Sequence, residues 1–243
     1  MGKLDGKVVL VTGASRGIGR GIARGSAREG ASVVLAARDT ARLQQTADEI
    51  IALGRAALVV PTDVTDEQQV ETLFSRAMDR FGRLDVLYNN AGAFNGGPIH
   101  ELSVADWDHV IAVNLRGPFL CTRQAFRIMK PQGGGRIINI GSISAQRVRP
   151  HSAPYSTSKH GIWGLTQVTA LEGREYGIVC SCLHPGNVLI ERRAASAATQ
   201  DQEPMMSIDE LAEVAVTMAT LPPHMNMLEA IVLPVQQLYI GRG

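Results

Sequence analysis

The chain has 243 residues, of which 45% are hydrophobic and 19% charged, and its formal net charge is +1. These values are typical of a globular domain with a sizeable core, and they argue against a nucleic-acid or anionic-membrane surface as its main function. The cysteines Cys121, Cys180 and Cys182 lack the spacing of a metal site or a disulfide framework, so we expect buried thiols and no bound metal. Without an apolar signal segment or a bilayer-length apolar stretch, we expect a cytoplasmic protein without membrane contact.

Short β-rich runs alternate with helical patterns along the chain. The predicted strands are 8–11, 33–37, 57–60, 86–88, 136–140, 178–183 and 230–235. The predicted helices are 17–29, 41–53, 66–81, 102–129, 155–176 and 208–221. This alternation predicts a single-domain α/β Rossmann fold over residues 1–243, a doubly wound parallel sheet of about seven strands with helices on both faces. Two segments without periodicity, 142–154 and 187–207, follow strand ends, and we expect the second to be a substrate lid.

A glycine-rich turn separates the first predicted strand from the first helix. Gly13, Gly17 and Gly19 stand there around Ser15, Arg16 and Ile18. Such glycines let the backbone approach a pyrophosphate, and the amides at the helix start face its negative charge. Glycine is common in ordinary turns as well, but this position in a βαβ unit favours a dinucleotide site.

The spacing Gly13-x-x-x-Gly17-x-Gly19, with Thr12 in front, resembles the short-chain dehydrogenase/reductase family. The resemblance covers most of the chain and continues through Asn89-Asn90-Ala91-Gly92, Asn114, Ser142, the Tyr155-x-x-x-Lys159 pair and Pro185-Gly186. It implies hydride transfer between a nicotinamide cofactor and a small carbonyl or secondary alcohol, in a homodimer or homotetramer. The cofactor contacts that it implies are Gly13, Ser15, Arg16, Gly17, Ile18, Gly19, Arg38, Asp63, Val64, Asn90, Ala91, Gly92, Tyr155, Lys159, Pro185, Gly186 and Val188.

The end of the second predicted strand bears on the choice of nicotinamide cofactor. NAD enzymes usually carry Asp or Glu there to bind both ribose hydroxyls, whereas this chain has Ala37 followed by Arg38. Arg38, with Arg16 nearby, could pair with a 2′-phosphate, so NADP(H) is the predicted cofactor. Both arginines could instead be solvated surface residues, and Asp39 could turn toward the ribose. Asp63, which resembles the family's adenine contact, could also be a helix N-terminal residue.

The predicted catalytic residues are centred on Tyr155 and Lys159. Their spacing on a predicted helix projects both side chains from one face, one turn apart. A nearby ammonium favours the phenolate, so Tyr155 could be the general acid in reduction and the general base in oxidation. The Ser142 hydroxyl would bind the substrate oxygen, although Ser144 is an alternative. The resemblance implies that Asn114 holds a water molecule that links Lys159 to solvent. Asn114 could equally be a buried helix residue whose hydrogen bonds are satisfied within the protein.

Two segments depart from the family pattern. Ile190 stands where the family often has Thr after Pro-Gly, so the cofactor carboxamide must be held otherwise. The C-terminal tail resembles the branch that includes 3-hydroxy acid (serine-type) dehydrogenases.

The substrate-binding prediction is limited to Ser142 and Tyr155. Arg147 and Arg149 could meet a substrate carboxylate, but these arginines, like Arg192 and Arg193 of the expected lid, could equally be solvated loop charges. His184 flanks the expected pocket and receives no chemical role.

Three other functions compete with the oxidoreductase. A non-catalytic NADP-binding sensor or scaffold would not need Ser142, Tyr155 and Lys159 together. A sugar-nucleotide epimerase or dehydratase usually needs a larger C-terminal substrate domain than the chain after Pro185 provides. A zinc alcohol dehydrogenase needs a Cys/His set with ligand spacing, which the sequence lacks.

Overall fold

The computed structural model describes residues 2–190 and 204–239. Most of the expected lid, with Arg192 and Arg193, lies outside the described residues. The strands are β1 (Val8–Thr12), β2 (Ser32–Ala37), β3 (Ala57–Pro61), β4 (Val86–Asn89), β5 (Gly135–Ile140), β6 (Ile178–Pro185) and β7 (Glu229–Val232). The helices are α1 (Gly17–Arg28), α2 (Thr40–Ala52), α3 (Glu67–Phe81), α4 (Val104–Ile111), α5 (Gly117–Gln132), α6 (Ala153–Gly173) and α7 (Ile208–Thr220).

The seven strands form one parallel sheet in the order β3-β2-β1-β4-β5-β6-β7. The strand order reverses between β1 and β4, which are hydrogen-bonded neighbours. Ligands of open α/β sheets bind outside the carboxyl ends of the strands at such a reversal. The predicted Rossmann fold is therefore confirmed, and the topology places a binding crevice beside the glycine turn.

Two hydrophobic clusters hold helices against the two faces of this sheet. One contains residues of α1, α2 and α7, among them Ile22, Leu43 and Leu211. The other contains residues of α3 and α5, among them Phe74 and Met129. Because β1 and β4 are buried along their whole length, their sequences are almost continuously apolar rather than alternating.

A buried carboxylate joins the amino ends of β1 and β4, at the edge of the sheet opposite the crevice. Asp85 accepts hydrogen bonds from Val8 N at 2.9 Å, from Arg83 Nε at 2.8 Å and Nη2 at 2.6 Å, and from Lys7 Nζ at 3.1 Å. Burial alone would raise the pKa of Asp85, but these donors outweigh it and hold the pKa below the ordinary value of 3.8. Asp85 is therefore an ionised anchor of the scaffold.

The predicted continuous helix over 102–129 is wrong in its middle. The chain forms α4, then a π-helical turn over Ala112–Arg116, then α5. Pro118 lies in the first turn of α5 and has no amide to donate to the carbonyl of Asn114, which interrupts the regular bonding pattern. The predicted strand 230–235 is likewise too long, because Pro234 cannot donate to a sheet.

The three cysteines are buried, as expected. Burial raises the pKa of the Cys121 and Cys182 thiols to about 12, so both are protonated and unreactive at neutral pH. Within residues 2–190 and 204–239, no helix combines the length and apolar character that crossing a membrane requires.

Candidate active site

The carboxyl ends of the strands open into a cleft of about 1290 Å³. Every predicted cofactor residue except Gly19 lines this cleft, and so do Ser142 and Tyr155. The glycine turn stands at one end, which we call the cofactor end. The other end, which we call the substrate end, is lined by Phe94, Ser142, Ser144, Gln146, Arg147, Arg149, Tyr155 and Tyr239.

The glycine turn is shaped for close backbone approach. Gly13 and Gly17 have φ values of 65° and 54°, in the left-handed region that favours glycine. A Cβ on Gly19 would lie 2.3 Å from the Gly13 carbonyl oxygen, so Gly19 is required for packing within the turn rather than for lining the cleft. α1 begins at Gly17, and no side chain caps it. The amide-rich, positive end of this helix dipole therefore faces the cleft, as pyrophosphate binding requires.

Asn90 holds the glycine turn in place. Its Nδ2 donates to the carbonyl oxygens of Thr12 at 2.9 Å and Gly13 at 3.2 Å. In return, Thr12 Oγ1 accepts from the amides of Asn90 and Ala91, both at 3.0 Å. The sequence predicted a cofactor contact for Asn90, and the structure adds a clamp between the end of β4 and the turn after β1.

Two arginines stand exposed at the cofactor end, where a 2′-phosphate would be bound. Arg16 precedes α1 and Arg38 follows β2, and both line the cleft.

Asp39, which the sequence left as a competing ribose ligand, caps α2 by accepting from Arg42 N at 3.1 Å and lies 3.5 Å from Arg42 Nε. Asp63 lines the cleft while accepting from Thr65 N and Oγ1, and Asp66 rather than Asp63 caps α3.

Tyr155 and Lys159 project from the same face of α6 into the cleft. Lys159 Nζ lies 5.6 Å from the centre of the Tyr155 ring and donates to the Ile140 carbonyl oxygen at 2.8 Å. Lys159 is only 7% exposed, so its ammonium is held by the end of β5 rather than by solvent. Pro154 lies in the first turn of α6, where a missing amide costs no helical hydrogen bond.

Ser142 stands at the end of β5, on the same cleft wall. It is 8% exposed, and its Oγ accepts from Ser144 N at 3.1 Å at the start of a short 3₁₀ turn. This bond uses an oxygen lone pair and leaves the hydroxyl proton available for a ligand in the cleft. Ser144 also lines the cleft, so the structure brings both candidate serines to it.

Comparison with known proteins decides the family. The family model for short chain dehydrogenases matches residues 7–201. The chain belongs to the short-chain dehydrogenase family. An uncharacterized oxidoreductase of Staphylococcus aureus (strain USA300) is 34% identical over 96% of this chain and 99% of its own length. A 3beta-hydroxysteroid dehydrogenase of Mediterraneibacter gnavus is 36% identical over 84% of this chain and 78% of its own length.

Solved structures agree with this assignment. A metagenomic short-chain oxidoreductase in complex with NADP superposes with a TM-score of 0.85 and 35% identity, covering 96% of this chain and 98% of its own. An alcohol dehydrogenase from the archaeon Thermococcus sibiricus, complexed with 5-hydroxy-NADP, gives a TM-score of 0.85 and 29% identity, covering 95% and 97%. This short-chain dehydrogenase is therefore an oxidoreductase with the fold that its sequence motifs imply.

Asn114 of this short-chain dehydrogenase lies on the π-helical turn and does not line the cleft. Its Oδ1 accepts from Ala93 N at 2.7 Å, and its Nδ2 donates to Ala93 O at 2.9 Å and to Ser158 Oγ at 3.1 Å. Ser158 Oγ in turn donates to the Tyr155 carbonyl oxygen at 2.7 Å. In the structure, Asn114 is buried, and both ends of its amide are hydrogen-bonded within the protein. These bonds link the loop after β4 to α6.

Three groups that line the cleft of this dehydrogenase were not predicted from the sequence. Phe94 packs edge-to-face on Tyr155, with ring centres 5.1 Å apart. Tyr239 of the C-terminal tail donates to Gln146 Oε1. Gln237 accepts from Asn187 N at 2.8 Å, which fixes the segment between Gly186 and Ile190. None of these residues belongs to a sequence motif. Only the aromatic character of Phe94 and Tyr239 could have indicated that they line a substrate site.

Proposed function

We propose that this short-chain dehydrogenase transfers hydride between NADP(H) and a small carbonyl compound or secondary alcohol, with Tyr155 as general acid and base. The observation that carries the proposal is the approach of the Lys159 ammonium to the Tyr155 ring in a cleft that also contains Ser142 and an uncapped helix start. Proton transfer, oxyanion stabilisation and dinucleotide binding are thereby available at one site.

Residues of this chain would carry out the proton transfer and stabilise the charges that develop during the reaction. In the reducing direction, NADPH, when bound, would supply the hydride that adds to the carbonyl carbon. Ser142 donates a hydrogen bond to the carbonyl oxygen and stabilises its developing negative charge. Tyr155 gives its phenolic proton to that oxygen, which completes the alcohol, and the Lys159 ammonium stabilises the phenolate that remains. In the oxidising direction, the phenolate takes the alcohol proton back.

The charges at the cofactor end support NADP(H) rather than NAD(H). Arg16 and Arg38 line the cleft, and β2 ends without a carboxylate. Asp39 is engaged by the first turn of α2 and by Arg42, which leaves the arginines as the charged groups for the adenosine ribose. The relatives crystallised with NADP and 5-hydroxy-NADP are consistent with this choice.

We further propose that residues 1–243 act as one domain in a cytoplasmic homodimer or homotetramer. Large apolar side chains on the outer faces of α5 and α6 support self-association, because Phe119, Val168 and Leu171 are about half exposed in the single chain. Size measurement by light scattering at low concentration should give a dimer or a tetramer. A monomer would contradict this part of the proposal.

Activity measurements test the central proposal. A panel of aldehydes, ketones and secondary alcohols, each assayed by cofactor absorbance with NADPH or NADH and their oxidised forms, should reveal turnover that prefers the phosphorylated cofactor. Tight NADPH binding without turnover of any carbonyl or alcohol would favour a sensor or scaffold instead. A preference for NADH would contradict the role given to Arg38.

A further inference from the structure

An arginine and an aromatic ring extend the catalytic pair toward the mouth of the substrate end. The Arg149 guanidinium lies 5.6 Å from the centre of the Phe94 ring, on which it forms a cation–π contact. Phe94 in turn packs edge-to-face on Tyr155, at 5.1 Å and an interplanar angle of 63°. A single ring therefore separates a positive charge from the proposed proton donor.

The backbone that carries Arg149 is held in a defined shape. The buried Ser152 hydroxyl donates to the Arg149 carbonyl oxygen at 2.6 Å. His151 adopts φ of 61°, an unusual value for a residue with a side chain, and such strain persists only where the surroundings enforce it. Gly96, in the loop after β4, packs directly against His151, because a Cβ on Gly96 would lie 1.9 Å from the His151 carbonyl oxygen. The loop after β4 and the loop after β5 are thus fitted to each other around Phe94 and Arg149.

The charges at this end are of one sign. Among the described residues that line the substrate end, Arg147 and Arg149 carry positive charge and none carries negative charge. Arg149 forms no ion pair with any residue in the described ranges. The carboxylates that line the cleft, Asp39 and Asp63, lie at the cofactor end. A ligand that brings its own negative charge would complement this end.

We propose that the substrate is an oxo acid, or the corresponding hydroxy acid, whose carboxylate is bound by Arg149 while its carbonyl faces Ser142 and Tyr155. This assignment rests on the proposed function and names its substrate class. Because Phe94 lies between the guanidinium and Tyr155, the carboxylate and the carbonyl must be several bonds apart. The aliphatic chain between them would lie against Phe94.

A charged substrate and its neutral ester test the assignment. With NADPH, we expect kcat/KM for 5-oxohexanoate to exceed that for methyl 5-oxohexanoate by about tenfold, the value of one charge-assisted contact. Arg149→Gln should abolish this preference by raising KM for the acid. Arg80→Gln is the matched control, since Arg80 also stacks on a phenylalanine, Phe81, but on the distant helix α3. Equal rates for acid and ester, or an unchanged preference in Arg149→Gln, would overturn the assignment.

A binding measurement separates this inference from the proposed function. Glutarate has no reducible carbonyl, so calorimetric titration of glutarate into the enzyme with NADP⁺ reports recognition without turnover. Binding by the parent protein and by Arg80→Gln, but not by Arg149→Gln, supports the carboxylate site even if no compound is reduced. Absence of glutarate binding by the parent protein overturns the site even if neutral ketones are reduced.

A second, independent observation lies behind Ser142, away from the cleft. The His184 side chain is fully buried, and its Nδ1 lies 3.2 Å from the Ser142 amide nitrogen and 2.9 Å from the Ser142 carbonyl oxygen. A Cβ on Gly141 would come within 2.5 Å of Nδ1, so glycine next to Ser142 is what lets the imidazole approach. The histidine is thus fitted against the backbone of the proposed oxyanion donor.

The other imidazole nitrogen faces a carboxylate. His184 Nε2 has no hydrogen-bond partner among the described residues, and Glu229 Oε1 of β7 lies 3.4 Å away. Gln146 Nε2 donates to the same Glu229 oxygen and ties it to the loop after β5. The Ser142 carbonyl oxygen favours a proton on Nδ1, whereas the Glu229 carboxylate favours a proton on Nε2 and so leaves Nδ1 to accept from the Ser142 amide.

We infer that Glu229 selects the tautomer of His184 and that the two act as positioning residues for Ser142. The charged and titratable groups that face the imidazole are Glu229 from β7, Lys159 from α6 and the protonated thiol of Cys182. Burial lowers the pKa of His184 below 6.5, with Lys159 acting in the same direction and the Ser142 backbone and Glu229 opposing it. The imidazole is therefore neutral at pH 7, as an acceptor at Nδ1 requires.

Substitution of Glu229 with two residues of similar size tests this inference. Glu229→Leu removes the carboxylate that faces Nε2 and should lower kcat about fivefold with no change in NADPH affinity. Glu229→Gln keeps an acceptor oxygen and should restore most of the rate. The acid limb of the pH profile should move to lower pH in Glu229→Leu, because a charge that raises the His184 pKa is gone.

Histidine tautomers give a direct readout that does not depend on turnover. Nitrogen chemical shifts from ¹⁵N-histidine labelling, assigned with His184→Gln, should show the Nε2-protonated form in the parent protein and a shift toward the Nδ1-protonated form in Glu229→Leu. The same tautomer in both proteins, or a kcat loss that Glu229→Gln does not rescue, would overturn the positioning role.

Discussion

The two ends of the cleft are assembled in different ways. At the cofactor end, the turn after β1 meets the segment after the neighbouring strand β4, and the Thr12 and Asn90 side chains join them by hydrogen bonds to backbone atoms. At the substrate end, the contacting side chains come from the loops after β4 and β5, from α6 and from the C-terminal tail. The first end depends on chain shape, and the second on which side chains those segments carry.

This difference separates cofactor binding from substrate choice. The backbone amides and glycines of the turn would bind the pyrophosphate that NAD and NADP share, while Arg16 and Arg38 would distinguish the two cofactors. Side chains such as Arg149 and Tyr239 stand on loops, which accept substitution more readily than the sheet does. Substitutions at the substrate end should therefore change turnover and selectivity while cofactor affinity stays constant.

The largest effect is expected from Tyr155→Phe, which removes one oxygen from the substrate end. Loss of the general acid should lower kcat about a thousandfold, while the dissociation constant for NADPH, measured by nucleotide fluorescence, should change little. A variant that loses NADPH affinity in parallel would break the separation between the two ends. Retained turnover would refute the mechanism.

Ser142→Ala should have the next largest effect. Removal of one donor to the developing oxyanion should lower kcat about a hundredfold, again with unchanged NADPH affinity. Ser144→Ala is the matched control, because Ser144 lines the same wall and offers its backbone amide to Ser142 Oγ. If Ser144→Ala proved the more damaging change, the oxyanion role would pass to Ser144.

Arg38→Gln tests the cofactor end alone. Loss of one charged contact to a 2′-phosphate should raise KM for NADPH about tenfold. Values of kcat, and KM for NADH, should remain as in the parent enzyme, since NADH has no such phosphate. Equal weakening of both cofactors would mean that Arg38 supports the fold rather than the phosphate.

Asp85→Asn is expected to leave kcat unchanged, because Asp85 lies at the edge of the sheet opposite both ends of the cleft. It should lower the free energy of unfolding at pH 7 by about 2 kcal/mol, since a buried carboxylate with charged donors is lost. Chemical denaturation monitored by circular dichroism measures this difference.

The pH dependence of that difference has a defined sign. The pKa of Asp85 is lowered in the folded protein, so its stabilising contribution is present above the ordinary carboxyl value of 3.8. The contribution is lost as pH falls through the lower folded value. The gap between parent and Asp85→Asn should therefore be constant at neutral pH and close in strong acid. A gap that persists there would show that charge is not the cause.

Much of the fold and of the cofactor end could be predicted from the sequence. Apolar β-branched runs ending in glycine turns specify βαβ units locally, and the spacing of Tyr155 and Lys159 follows from helix geometry. The kinship of the C-terminal tail with 3-hydroxy acid dehydrogenases stays a prediction. The π-helical turn at Asn114 was not predictable, because hydrophobic periodicity does not distinguish a regular helix from one with a local insertion.

By itself, the sequence determined the strand and helix order, the glycine turn and the proximity of Tyr155 to Lys159, because each of these depends on neighbours a few residues apart. Only the tertiary structure decided that Arg149 lies on Phe94, that Tyr239 returns to Gln146 and that Glu229 faces His184. Those contacts join segments far apart in the chain. They exist only because parallel strands bring their carboxyl ends to one edge of the sheet and the loops that follow must pack together there.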